Sequence, residues 1–146
     1  MKQLMSKVCL GLGLLLLLGV QSSFAQTGYG LRVEVPFTFT AGNSHFESGQ
    51  FLIKEATSDA AVLQIQSQEG KAGAILMTKG PLLDNRSESN PRLVFNKYGD
   101  HYFLSQIWFG DGQTGCQLHL SKAEQETART AAASNLKASV VQIAAR

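Results

Sequence analysis

The stretch from Leu93 to Gly112, LVFNKYGDHYFLSQIWFGDG, constrains this chain more than any other. It carries Phe95, Tyr98, Tyr102, Phe103 and Phe109 together with the only tryptophan, Trp108. Two runs rich in β-branched and aromatic residues, 93–98 and 101–109, flank Gly99-Asp100, and glycine at the first of two loop positions is what a type II′ hairpin turn requires. With a two-residue loop Tyr98 faces His101, and strand alternation then puts Leu93, Phe95, Lys97, Tyr102, Leu104, Gln106 and Trp108 on one face. The opposite face carries Val94, Asn96, Tyr98, His101, Phe103, Ser105, Ile107 and Phe109. Because 101–109 is apolar on both sides, that strand is expected to sit centrally, covered above and below.

An address precedes the fold. Lys2 and Lys7 lead into the apolar run VCLGLGLLLLLGV (8–20), followed by QSSFAQ with Ser23 and Ala25 at small-residue positions. This is the pattern of a secretory signal peptide, with cleavage expected after Ala25. The apolar run is shorter than the roughly 20 residues of a membrane span, and Cys9 lies too early for a lipidated cysteine. Of 146 residues, removal of 1–25 leaves 121, a single domain able to bury about two-thirds of its unfolded surface. Lys2 and Lys7 leave with the signal, so 13 Lys and Arg become 11 against 11 Asp and Glu. The remaining chain is neutral, with no basic stripe for nucleic acid and no stretch able to span a bilayer. Cys116 remains as the sole cysteine, so the fold must stand on packing rather than an internal disulfide.

In LRVEVPFTF (31–39), Leu31, Val33, Val35, Phe37 and Phe39 alternate with polar residues and Pro36, which marks a half-buried strand at a sheet edge or bend. AGNSHFESGQ (41–50) is turn chemistry, with Phe46 as a plug. FLIKEA (51–56), AVLQIQSQ (61–68) and AGAILMTK (72–79) form a meander. If Glu69-Gly70 is a two-residue loop, Leu63 faces Leu76 and Ile65 faces Ala74. GPLLDNRSESNPR (80–92) is the longest polar connection, and Asn85-Arg86-Ser87 in it is a chance glycosylation triplet. CQLHL (116–120) is a short strand. Ser121 with Glu124 forms a capping-box signature that starts a helix at Lys122. That helix, KAEQETARTAAA, has only alanine on its apolar side and packs thinly. SVVQIAA (139–145) is β-branched and reads as an edge strand.

The chemical motifs are weak. Gly110, Gly112 and Gly115 match GxGxxG, but that fingerprint works at the start of a helix in a parallel βαβ unit, whereas a β-segment follows here. His45, His101 and His119 do not converge. If 101–109 pairs with 116–120 so that His119 faces Gln106, His101 lies roughly 17 Å away at strand rise. Cys116 and His119, three apart on a strand, point to opposite faces, so Cys116 reads as a small buried hydrophobe. Asp100 and Asp111 sit in glycine turns without calcium-loop spacing. No catalytic residue, metal or cofactor is implied.

VEVPFTFTAGNSHFESGQFLI and LVFNKYGDHYFLSQIW resemble a family of small secreted bacterial proteins. That family has a VPFxF start, a GxF or GxY step about a dozen residues on, and a KLVFxxYGDxYFLxxIW-like hairpin. The similarity covers residues 33–124, with Arg92 where the pattern has lysine. It implies export and a shared fold and carries over no catalytic residue.

The expected fold is mainly β: about seven antiparallel strands in a small sandwich or partly closed barrel, with one C-terminal helix from about residue 121. Its organising hairpin is Phe95, Tyr98, Gly99, Asp100, Tyr102, Phe103, Leu104, Ile107 and Trp108. The expected function is an exported, non-enzymatic binding or scaffold module of the envelope or extracellular space, secreted or periplasmic, with a protein or saccharide as partner. The alternatives are a hydrolase of cell-wall or scavenged polymer, with Asp100 and His101 as acid and base, and a lipocalin-like carrier of an apolar ligand. Trp108 is expected to be buried with its N–H bonded.

Overall fold

The computed structural model describes residues 30–85, 90–110 and 112–146. Residues 1–25, where a signal peptide is expected, lie outside them. Among the described residues the fold is mainly β with one helix: β1 (Gly30–Val35), β2 (Phe39–Ala41), β3 (Ser44–Phe46), β4 (Gly49–Glu55), β5 (Val62–Ser67), β6 (Gly73–Leu83), β7 (Arg92–Tyr98), β8 (His101–Phe109), β9 (Thr114–Leu118), α1 (Lys122–Ala133) and β10 (Ser139–Ala144). There are ten strands where the sequence suggested about seven. Pro36 splits the expected 31–39 strand into β1 and β2, because proline cannot donate to a ladder. Ser44–Phe46, read as turn, pairs with β2. Gly80–Leu83, read as the start of a polar loop, extends β6 and pairs with β9.

All strands join one sheet that is not closed into a barrel. The order runs β1-β4-β5-β6-β9-β8, after which β8 carries β7 on one edge, with β10 beyond it. The other edge of β8 is shared. β9 pairs with Gln106–Phe109, and β2 makes one parallel bridge, Thr40 to Phe103, in an otherwise antiparallel sheet. The two ends meet at one point, where Arg32 and Arg146 exchange backbone hydrogen bonds of 2.9 Å in each direction.

The long, curled sheet wraps one core. Leu31, Val33 and Val35 of β1, Phe51 and Ile53 of β4, and Leu63, Ile65 and Leu76 of β5 and β6 face Leu93, Phe95, Leu104, Ile107, Cys116 and Leu118. Phe39 knits the two halves together, with its ring 5.2 Å from Phe46, 5.2 Å from Phe51 and 5.3 Å from Phe95. Phe46, the expected plug, is fully buried. The β5/β6 register is the one that a Glu69-Gly70 loop dictates, with Leu63 opposite Leu76 and Ile65 opposite Ala74.

The hairpin departs from its expected register halfway along. Tyr98 faces His101 and Phe95 faces Leu104, as a two-residue loop requires, but Val94 then faces Gln106, so that Ser105 is an extra residue. This β-bulge reverses the alternation of β8 beyond it. Ile107 therefore joins Leu93, Phe95 and Leu104 in the core, and Trp108 moves to the opposite face, across from Arg92. The expectation that Trp108 shares a face with Leu93, Phe95 and Leu104 is corrected by that single inserted residue. A second register also shifts: Gln106 faces Gln117, not His119, because β9 begins two residues earlier than expected, at Thr114.

Candidate functional site

Among the hairpin residues, Phe95, Phe103, Leu104, Ile107 and Trp108 are buried. Gly99 takes the left-handed φ of +60° while Asp100 keeps a negative φ, which fits a type II′ turn. Asp100 and His101 are exposed at the tip. Tyr102 stacks on Phe37 with centroids 4.0 Å apart, and Tyr98 meets Phe103 edge-on at 6.0 Å. The structure thus divides the nine residues between the core, the tip and two polar clusters on the far side of the bulged strand.

The first cluster centres on Arg92. Its guanidinium donates to Asp84 Oδ2 at 2.8 Å, to the Asn90 carbonyl at 3.0 Å and to the Gly112 carbonyl at 3.4 Å. The same group lies 4.5 Å over the Trp108 ring. Trp108 is 7% exposed, and its indole N–H donates to Gln106 Oε1 at 3.1 Å. Arg92 therefore ties the 84–92 connection to the β8/β9 loop and roofs the indole, a geometry that the planar guanidinium allows and an ammonium does not. The Arg92–Asp84 pair is nearly buried, with side-chain exposures of 11% and 9%. The polar composition of 80–92 pointed to solvent and gave no sign of this pair.

The second cluster joins α1 to the hairpin. Ser121 caps the helix, its Oγ accepting from the Glu124 N–H at 3.1 Å, as the capping box predicts. The Glu124 carboxylate turns away from the cap. It accepts from Asn96 Nδ2 at 2.8 Å and from the Tyr98 hydroxyl, and is only 3% exposed. Burial pushes its pKa up, against the opposing effect of the Asn96 and Tyr98 hydrogen bonds. Burial, reinforced by the Glu124 charge, also raises the Tyr98 phenol.

His45 sits beside the Thr40 hydroxyl at 3.4 Å, while His101 and His119 are exposed on separate elements. No group of three or more metal-ligating side chains gathers among the described residues. Cys116 is buried, and its thiol pKa is pushed up by burial first and by the charge of Glu55 second, which disfavours the thiolate. Gly110 and Gly112 lie in the β8/β9 hairpin loop and Gly115 within β9, so the GxGxxG match precedes a strand.

The most distinctive surface lies on β6. Leu76 is buried, but Ile75 and Met77 beside it are 62% and 69% exposed. They border a groove of about 530 Å³ that runs on past Leu118, His119, Leu120 and Lys122 to the β2/β3 turn. Leu120 is about half exposed. The backbone of β6 adds to this. Thr78 N–H donates to Ala61 and Ala72 C=O accepts from Ser67, so even-numbered residues of this half bond towards β5. By alternation the N–H and C=O groups of Ile75 and Met77 point the other way. β9 pairs only from Thr78 onward, and because Thr78 N–H is taken by Ala61 that bridge uses the Met77 C=O, so the open edge comprises Gly73–Ile75 and the Met77 N–H and borders the groove. Strand alternation puts Ile75 and Met77 on the face opposite buried Leu76. Where β9 ends is what leaves their edge open. No family model, curated protein or solved structure matches the chain.

Proposed function

We propose that the chain is an exported, non-enzymatic binding or scaffold module of the cell envelope or extracellular space, and that it engages its partner through the outer face of β6. The observation that carries this reading is the exposed pair Ile75 and Met77 on either side of buried Leu76. Two large apolar side chains held at fixed spacing on a paired strand, with Leu120 across the groove, form a contiguous patch of the kind that marks an interaction site. The signal pattern of residues 1–25 supports export.

The test has two parts. Mass spectrometry of the exported protein should find a mature form beginning at Gln26. Retention in washed envelope fractions should then be compared between the native chain and the double variant Ile75→Asp/Met77→Asp. Both side chains are exposed, so stability should change by no more than about 0.5 kcal/mol per site, while retention falls sharply. Unchanged retention, or polymer hydrolysis that disappears in His101→Ala, contradicts the proposal.

A further inference from the structure

We infer that the β6 groove binds an extended peptide segment of another protein by strand addition, and that the segment carries an acidic residue beside its apolar run. This rests on the binding-module reading and names its mode and partner class.

The recognition chemistry lies in the backbone. The N–H and C=O of Ile75 and the N–H of Met77 point into the groove at strand spacing, beyond the point where β9 stops pairing. Such a row accepts only another strand. The uncovered segment Gly73–Met77 matches a partner of about five residues, about 17 Å long at strand rise. The second half of the same strand is protected. Asp84 N–H donates to Gln113, so even-numbered residues there bond to β9. Pro81 then falls on the edge away from β9, where its missing N–H leaves nothing to donate. The first half has no such device, since AGAILMT (72–78) contains neither charge nor proline.

Charge selects among strands. The titratable groups lining the groove are His119 and Lys122, and none of the lining residues is acidic. A carboxylate on the incoming segment can pair with Lys122, whereas a lysine at the same place would be repelled by it. The walls formed by the β2/β3 turn and by residues 118–122 favour a narrow single strand over the sheet edge of a second copy.

A fluorescein-labelled, acetylated peptide VTVIVDE is the probe, read by anisotropy and by amide hydrogen exchange. Saturating peptide should protect the Ile75 and Met77 amides. Met77→Pro removes a donor that β5 does not use, so it should weaken binding at least about tenfold, one good hydrogen bond's worth, at an unchanged melting temperature. Met77→Ala should bind within a few-fold of native, and Lys122→Glu should bind several-fold more weakly. The same peptide N-methylated at alternate residues deletes the ladder from the partner's side, and should fail to bind even if Met77→Pro does not fold. Unaltered exchange at Ile75 and Met77 in saturating peptide overturns strand addition, as does equal binding of the N-methylated peptide. A dimer by sedimentation that protects the two amides without peptide identifies a second copy as the occupant, and also overturns the inference. If strand addition fails while Ile75→Asp/Met77→Asp still abolishes envelope retention, the binding-module reading stands. If retention is also indifferent to that variant, both fall.

Discussion

Arg92 and Trp108 stand opposite each other across the β7/β8 ladder, with the guanidinium carbon 4.5 Å from the indole centroid. The pair exists because Ser105 bulges out of β8 and turns Trp108 away from the core. Removing the arginine has two costs: the cation–π contact is lost, and the nearly buried Asp84 carboxylate loses the guanidinium that donates to it. Arg92→Ala should destabilise the fold by about 3–5 kcal/mol, as loss of one member of a buried ion pair does. Arg92→Lys should recover only part, because an ammonium cannot both stack on the ring and reach Asp84 and two carbonyls. Urea unfolding of the three proteins measures this, and equal stability of the native chain and Arg92→Lys would refute the stacking role.

Trp108 also lies over Gly115, its partner on the β9 side. A Cβ added at Gly115 would come 2.7 Å from indole carbons and 2.7 Å from the Ile107 carbonyl oxygen. Neither can retreat easily, since the backbone is fixed by its ladder and the ring is held by Arg92 and Gln106. Gly115→Ala should cost about 1–3 kcal/mol, as overpacking does. It should also shift the tryptophan emission, which in the native protein is expected to be blue and to resist iodide and acrylamide. Red, readily quenched native emission would contradict the buried position.

Glu124 sets a pH dependence. Burial holds its pKa above the ordinary 4.5 in the folded chain, so folding favours the protonated form. Its stabilising contribution is complete below the unfolded value of about 4.5 and is lost as pH rises through the higher folded value. Glu124→Gln keeps an acceptor for Asn96 and Tyr98 but cannot ionise. Melting curves between pH 4 and 8 should show the native chain losing stability relative to this variant as pH rises. Parallel curves would mean that the carboxylate is not desolvated.

Much of this was legible in local patterns, and the misses have a common cause. The Glu69-Gly70 and Gly99-Asp100 loops fix registers through turn chemistry, and Ser121 marks the helix start, all within a few residues of sequence. The bulge at Ser105 has no such local signal, because it is set by how β8 must serve β7 on one edge and β9 and β2 on the other. Arg92 finds Asp84 across a polar connection, and Glu124 leaves its cap for Asn96 and Tyr98, so both clusters depend on tertiary neighbours. The groove was half readable: alternation puts Ile75 and Met77 outside, but only the assembled sheet shows that β9 stops short of them.

The open edge of β6 is the central claim, and amide hydrogen exchange of residues 26–146 without any ligand tests it. Leu76 and Thr78, which bond towards β5, should exchange slowly. Ile75 and Met77, whose N–H groups face the groove, should exchange orders of magnitude faster, near the rate of exposed loops. Equal, strong protection at all four positions in the monomer would show that the edge is already covered, and would contradict the account.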